Sequence, residues 1–242
     1  MPLACSPEQQ RMTSDELFRS SLVDAGRIAA TKQITDDDRS IYPAFGPGDS
    51  LVFYQRLLIT DPADTFYYFT EKMIRPYGVN VESGELYDLS EKYRYPPDRA
   101  LKVDELAIRS SERVAWAIRS PDSNVIAYET LSGPESATHT VYLAIADSVR
   151  QLSYGTVSCF LDRFSNTGRY LTAVYGTGPT SALIFDLEKD LIYQVSQDSG
   201  TVDYMTNFSS DDSMMVFVRS DRKYSWGDDF FGNIYLLKFQ ME

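Results

Sequence analysis

The sequence predicts an all-β fold, and three observations lead to that expectation. Aromatic residues make up 13% of the 242 residues, with 17 Tyr and 13 Phe, and these side chains suit the half-buried surface of a pleated sheet. From Arg27 onwards, short apolar runs are separated by clusters of Gly, Pro, Ser, Asn and Asp, which is the pattern of strands and turns. The third observation is an internal repeat.

A single helix is expected before this region, within residues 6–26. Thr13 and Glu16 have the spacing of a capping box, and an apolar stripe at helical spacing begins at Leu17. Gly26 is expected to end the helix.

The repeat consists of a turn followed by an apolar strand. Its four copies have their turns at residues 45–49, 120–122, 164–168 and 208–212. The serines that open the last three turns, Ser120, Ser165 and Ser209, are 45 and 44 residues apart. That interval is the length of one four-stranded blade of a β-propeller.

A second motif recurs at a different phase and marks the outer strand of each blade. Its copies are Gln33-Ile34-Thr35, Gln151-Leu152-Ser153 and Gln194-Val195-Ser196, with Asp88-Leu89-Ser90 as a weaker fourth. The first copy has no inner strands before it, and the last turn is followed by only two strands. Residues 31–35 are therefore expected to pair beside residues 234–239, since ring closure removes exposed sheet edges.

Together these patterns predict a four-bladed β-propeller of four-stranded antiparallel blades. Its N-terminal strand closes the last blade, and a short N-terminal helix precedes it. Residues 1–26 are expected to form the tail and helix, and residues 27–242 the propeller domain. The alternative is an open fragment of a larger propeller.

A longer motif surrounds the first turn. Residues 34–38 read Ile-Thr-Asp-Asp-Asp, residues 43–49 read Pro-Ala-Phe-Gly-Pro-Gly-Asp, and Ser120-Pro121-Asp122 repeats the core of the second piece. The motif resembles the TolB-type repeat, a relative of the WD repeat found in bacterial envelope propellers, with Gly and Asp exchanged at its end. The resemblance covers roughly residues 27–242 and implies a fold. Relatives serve as envelope scaffolds, as lipoproteins, and as propeller domains attached to peptidases or polysaccharide-degrading enzymes, so it transfers no catalytic residue.

Charge and composition exclude several partners. Acidic residues outnumber basic ones by 35 to 23, which gives a net charge of −12 and a surface that repels a phosphate backbone, so nucleic acid is not expected. The chain has one histidine, and its acidic clusters lack the alternating ligands of a calcium loop, so neither a metal nor another cofactor is expected.

Cys5 bears on location. Residues 2–5 partly match the end of a bacterial lipoprotein signal, in which a small residue precedes the lipid-bearing Cys. Pro2 stands where that pattern prefers Leu, and the usual apolar segment does not precede it. On this interpretation the protein lies in the bacterial periplasm or on the outer membrane, held to the membrane only by a lipid on Cys5. Otherwise it is a soluble protein.

The candidate binding residues lie in the longer loops, because scaffolds carry function on loops. Residues 57–73, 91–112 and 220–232, together with the segment around His139 just before a third strand, are expected to gather on one face. The expected contacts with a protein or glycan partner are Tyr67, Tyr68, Tyr93, Tyr95, His139, Trp226 and Asp228. The alternative is that these aromatics cover the ends of a small core and that His139 is an ordinary strand-edge residue.

The sequence therefore predicts a non-enzymatic binding or scaffolding propeller associated with the cell envelope. One alternative is a carbohydrate-active or peptidase-associated enzyme that uses carboxylates at the mouth of the ring, about 5–10 Å apart. Another is a domain cut from a longer protein. Two buried, facing carboxylates at the central mouth would favour the enzyme, and a mouth without such a pair would favour binding.

Overall fold

The computed structural model describes residues 13–58, 74–89, 113–132, 138–176, 179–196, 200–226 and 229–240, without the side chains of residues 74 and 222–230. Within these ranges it has one α-helix, α1 (Ser14–Ser21), and short 3-10 turns at Ala25–Arg27 and Pro47–Asp49. The strands are β1 Leu22–Asp24, β2 Ala29–Gln33, β3 Ser40–Phe45, β4 Leu51–Leu57, β5 Ile74–Asn80, β6 Leu86–Asp88, β7 Arg113–Arg119, β8 Val125–Ser132, β9 Thr138–Ile145, β10 Ser148–Gln151, β11 Cys159–Phe164, β12 Tyr170–Tyr175, β13 Ser181–Asp186, β14 Leu191–Gln194, β15 Val202–Phe208, β16 Met214–Trp226 and β17 Asp229–Phe239. The described chain is thus mostly strand.

The strands form four consecutive antiparallel units. Unit 1 is β3-β4-β5-β6, unit 2 is β7-β8-β9-β10 and unit 3 is β11-β12-β13-β14. Unit 4 is β15-β16-β17 with β2 as its outer strand, because β2 pairs antiparallel with β17. Each unit therefore has the strand order that the two repeat motifs predict.

The pairing of β2 with β17 joins the first part of the chain to its last strand. Gln33 lies opposite Tyr235 and Ala29 opposite Phe239. Beyond β2, the Ile34 N–H donates to the Ile234 carbonyl at 2.9 Å. The expected pairing of residues 31–35 with residues 234–239 is present.

The helix begins as predicted and ends earlier. The Thr13 hydroxyl accepts from the Glu16 N–H at 3.3 Å, and the Glu16 carboxylate accepts from the Thr13 N–H at 2.8 Å, which confirms the capping box. The helix stops at Ser21, and the expected end at Gly26 is wrong. Residues Leu22–Asp24 are extended instead, because they pair in parallel with β14 as a fifth strand of unit 3.

The first repeat motif is a turn with one geometry in all four units. The opening residue donates its N–H to the carbonyl five positions later, and its own carbonyl accepts from the N–H three positions later. The residue three positions after the opening one has a positive φ of 55° to 82° in every copy. It is Asp49, Ser123, Gly168 or Asp212. Asp and Gly tolerate this left-handed conformation, which explains their recurrence in the turns.

The serines that open three of these turns have a structural role. In units 2, 3 and 4 the serine hydroxyl accepts the N–H of the first residue of the next strand, at 2.8–3.0 Å. Unit 1 has Gly46 at this position. A Cβ on Gly46 would stand 2.7 Å from the Phe53 ring, so a side chain does not fit there.

In units 2 and 4, the second repeat motif fastens the outer strand to its neighbour. The side-chain amides of Gln33 and Gln151 donate at 2.7 Å to the carbonyls of Thr35 and Ser153, two residues on. The Thr35 and Ser153 hydroxyls accept backbone N–H groups of the third strand, at 2.8 and 2.9 Å. The Gln-x-Ser/Thr pattern is therefore a set of hydrogen bonds that ends the outer strand.

The apolar core lies between neighbouring units. One cluster fills the space between units 2 and 3 and includes Phe18 of α1, a second lies between units 1 and 4, and a third between units 3 and 4. Phe18 is 2% exposed and packs 5.3 Å from the Tyr175 ring. In the described residues no helix is long and apolar enough to cross a membrane.

Residues 220–232, expected as a loop, are instead the far end of a long β-hairpin. Tyr224 pairs with Phe231 and Trp226 with Asp229, after a register shift that begins at Arg219. Phe231 is 1% exposed and packs with Ile41 and Leu57. Because Phe231 is buried there, the strand pairing continues into a segment for which the sequence predicts a loop.

Deleting residues 1–36 should unfold the protein or make it associate, because it removes β2 and leaves β17 with an unpaired edge. Thermal melting and size-exclusion chromatography with light scattering measure both outcomes. Deletion of residues 1–12 is the control, since it keeps α1, β1 and β2 and every contact among the described residues. An unchanged, monomeric melting transition in the 1–36 deletion would contradict the role given to β2.

Candidate functional site

A cavity of about 590 Å³ opens where the first strands of all four units end. Unit 1 contributes the turn at residues 45–49, unit 2 the end of β7, unit 3 the end of β11 and unit 4 the end of β15. Because every unit lines it, the cavity lies at one end of the space that these strands surround.

Hydrogen bonds between neighbouring turns hold this end of the molecule together. The Asp212 carboxylate in unit 4 accepts the N–H groups of Asn166 and Thr167 in unit 3, at 2.8 and 3.0 Å. The Asp49 carboxylate in unit 1 likewise accepts the Ser210 N–H of unit 4 at 2.9 Å. Asp49 and Asp212 occupy the same turn position, the one with a positive φ, so the repeat links successive turns in the same way twice.

Asp162 makes a third link between units. One oxygen of its carboxylate accepts both the N–H and the hydroxyl of Thr206 in unit 4, each at 2.7 Å. Its other oxygen lies 3.5 Å from the Nε of Arg163. The Thr206 hydroxyl is also 2.6 Å from the Thr172 hydroxyl. Asp162 thus fixes the inner strand of unit 4 against that of unit 3.

The carboxylates in the described lining, those of Asp49 and Asp162, are therefore fixed acceptors for backbone groups of another unit. A general acid needs a carboxyl group that is free to exchange its proton next to a substrate. Cys159 is also unsuited to catalysis, because burial raises the pKa of its thiol to about 12 and keeps it protonated. The described lining favours recognition over acid–base or thiol chemistry.

Arg119 is a lining residue that the sequence reasoning missed. The position directly before the turn holds Phe45, Phe164 and Phe208 in units 1, 3 and 4, and Arg119 in unit 2. The guanidinium donates to the Ser123 carbonyl at 3.4 Å. Comparing the four repeat copies position by position is the signal that could have found it.

His139 lies inside β9 rather than before it. Its Nδ1 is 3.1 Å from a carboxylate oxygen of Glu129, whose other oxygen accepts the Leu161 N–H at 2.7 Å. The imidazole ring also packs on Phe160, with centroids 4.3 Å apart. The histidine therefore connects units 2 and 3, at the strand end away from the cavity.

The other predicted contacts are not tested by the structure. Residues Tyr67, Tyr68, Tyr93, Tyr95, Asp228 and Cys5 lie outside the described ranges. Trp226 ends β16, and its side chain is not described. The tip of the β16–β17 hairpin and His139 share the end of the strands opposite the cavity, so the cavity is a different surface from the expected one.

A second cleft, of about 700 Å³, lies between units 3 and 4 near Arg27. In it Arg169 pairs with Asp186 at 2.9 Å, and the Tyr170 and Phe239 rings stack 5.1 Å apart. Burial alone would raise the pKa of Asp186, but hydrogen bonds from Arg169 and from two backbone N–H groups lower it below its usual value. The charged and aromatic side chains of this cleft are therefore paired with one another. Among the described residues, no group of three or more metal-ligating side chains occurs.

Comparison with known proteins gives structural neighbours only. No protein-family model matches the chain, and no curated protein matches it. Similar solved structures include TolB from Acinetobacter baumannii, with 12% identity, a TM-score of 0.32, and coverage of 86% of this chain and 46% of that one. The β-propeller domain of the Trilobed protease from Pyrococcus furiosus has 13% identity, a TM-score of 0.34 and coverage of 89% and 56%. A prolyl endopeptidase has 11% identity, a TM-score of 0.38 and coverage of 79% and 25%.

The chain is thus similar to TolB and to other β-propeller proteins, as its repeat motif predicts. It spans between a quarter and a little over half of the length of the solved structures named above. Since the TM-scores are below 0.5, the description of the fold rests on the strand pairings themselves.

Replacing Asp212 with Ala should destabilise the protein by about 1–3 kcal/mol, because it leaves donors of the Asn166–Thr167 turn without their acceptor. Urea unfolding followed by fluorescence measures the change. Asp147→Ala is the control, because Asp147 is an exposed carboxylate in the turn between β9 and β10. Equal stability of the two variants would show that the link between the turns contributes nothing.

Proposed function

We propose that the chain is a non-enzymatic binding or scaffolding protein whose four units close into a four-bladed propeller. Its partner is a protein or a glycan. The partner is held at the cavity where the four inner strands end. The observation that carries this proposal is that the carboxylates of the described lining are engaged by backbone groups of neighbouring units, which leaves a polar recess without a free acid–base pair.

Contacts between the turns support the closed ring. The turn of unit 1 bonds to that of unit 4 through Asp49, and the turn of unit 4 bonds to that of unit 3 through Asp212. The turn of unit 3 reaches unit 2, since a Cβ on Gly168 would stand 3.5 Å from Pro121. The cavity lining then brings Arg119 of unit 2 and Phe45 of unit 1 to the same space. In the proposed ring, units 1 and 2 lie side by side at this space and complete the circuit of four units.

The cell-envelope location belongs to the proposal as well. It rests on the partial lipoprotein motif at Cys5 and on the resemblance of the repeat to TolB-type propellers. The aromatic residues of the longer loops, among them Tyr95 and Trp226, remain a predicted second contact surface.

The experiment is a screen of the purified full chain on peptide and glycan arrays, followed by mass spectrometry of each bound ligand. We expect saturable binding with the ligand recovered intact. Asn207→Leu should weaken binding by about 1–3 kcal/mol, since Asn207 lines the cavity and its loss leaves ligand groups unpaired. Trp226→Ala is the matched variant on the opposite face and should leave cavity binding unchanged.

Two results would overturn this assignment. Cleavage of a bound peptide or glycan that is lost in Asp162→Asn would assign an enzyme instead. Binding that is insensitive to Asn207→Leu and lost in Trp226→Ala would move the site to the opposite face.

A further inference from the structure

We propose that the cavity captures a carboxylate group and that Arg119 is the residue that binds it. This inference rests on the proposed binding function and specifies the ligand chemistry of the same site. It begins from the four repeat copies, in which one position changes from an aromatic to a cationic side chain.

In units 1, 3 and 4, the side chain directly before the turn packs in the apolar core. Phe164 and Phe208 are 8% and 3% exposed and belong to the apolar clusters between units. Phe45 is half-buried and packs against the cluster between units 1 and 4. Burying a Phe side chain stabilises the fold, whereas Arg119 brings a charge to the same place. Packing alone gives no reason for the exchange.

The polar contacts of Arg119 leave most of its donors available. The guanidinium has five N–H donors, and one of them reaches the Ser123 carbonyl at 3.4 Å. In the described part of the chain, no carboxylate forms an ion pair with it. A half-buried guanidinium in a recess is matched best by a planar anion that accepts two parallel hydrogen bonds, which is the geometry of a carboxylate.

A neighbouring unit supplies a further donor to the same recess. Asn207 of unit 4 lines the cavity with Arg119, as does Arg163 of unit 3, whose guanidinium pairs with the Asp162 carboxylate at 3.5 Å. The Asn207 amide makes no hydrogen bond to any residue in the described ranges, so it is available to a ligand. Asp162 and Asp49, in the same lining, limit the net positive charge of the recess.

This balance of charges selects a single carboxylate over a polyanion. The net charge of −12 repels highly charged anions. Salt screens this repulsion at distances beyond the Debye length of about 8–10 Å. A ligand with one carboxylate on an otherwise uncharged body meets Arg119 at short range. Such a group is carried either by a small organic acid or by an acidic side chain of a protein partner.

The test is an NMR titration of the full chain, followed through the Arg Nε–H and Asn side-chain resonances. Three probes are used: propionate, an acetylated and amidated glycine pentapeptide with one central glutamate, and the same peptide with glutamine. We expect propionate or the glutamate peptide to give saturable shifts, and the glutamine peptide to bind at least roughly tenfold more weakly. Tighter binding of the glutamate peptide than of propionate identifies a protein partner, and the reverse order identifies a small acid.

Substitutions at Arg119 provide the decisive comparison. R119F restores the residue of the other units, so it should keep or raise the melting temperature while reducing carboxylate binding at least roughly tenfold. R119Q makes the same comparison if R119F fails to fold, and R119K should retain weaker binding because an ammonium cannot form the two parallel bonds. Arg113→Ala, at the exposed start of the same strand, is the control.

The proposal is overturned if neither carboxylate probe gives saturable shifts, if the glutamine peptide binds as well as the glutamate peptide, or if R119F binds like the wild type. If a ligand from the array screen binds the cavity independently of Arg119, the proposed binding function is kept and only the proposal of carboxylate recognition is rejected.

Discussion

The antiparallel pairing of β2 with β17 is the contact on which the rest of this structure depends. It joins residues about two hundred positions apart in the sequence, and it fills the edge of β17 that would otherwise present unpaired N–H and C=O groups. Three of the apolar clusters lie between units 2 and 3, between units 3 and 4, and between units 1 and 4, so units 3 and 4 each bury apolar faces against two neighbours. A strand that secures unit 4 therefore supports the packing of units 1 and 3 as well.

The recurring turn links neighbouring units and lines the cavity at the ends of their first strands. Its left-handed residue is Asp in units 1 and 4, where the Asp49 carboxylate reaches the turn of unit 4 and the Asp212 carboxylate that of unit 3. Because these carboxylates accept backbone N–H groups, they stabilise the arrangement. In the proposed function, binding falls to side chains that depart from the repeat, of which Arg119 is the clearest example.

Local patterns in the sequence predicted what local chemistry determines. The capping box at Thr13, the turn serines of units 2 to 4 and the Gln side chains of the Gln-x-Ser/Thr motif in units 2 and 4 all make hydrogen bonds within a few residues. Non-local contacts overrode the rest. The helix ends at Ser21 because Leu22–Asp24 find a partner in β14, and residues 220–232 are strand because Phe231 is buried beside unit 1. The pairing of His139 with Glu129 depends on which strands adjoin, which periodicity does not reveal.

Native-state hydrogen exchange at Ile34 tests the central claim that β2 is an integral strand of unit 4. The Ile34 N–H donates to Ile234 at 2.9 Å, and the equivalent amides of units 2 and 3, Leu152 and Val195, donate to their third strands at 2.8 and 2.9 Å. If β2 is integral, the free energy of opening at Ile34 equals that at Leu152 and Val195 and approaches the global free energy of unfolding. Rapid exchange at Ile34 while Leu152 and Val195 stay protected would show that β2 frays independently, and it would contradict the role given to β2 in unit 4.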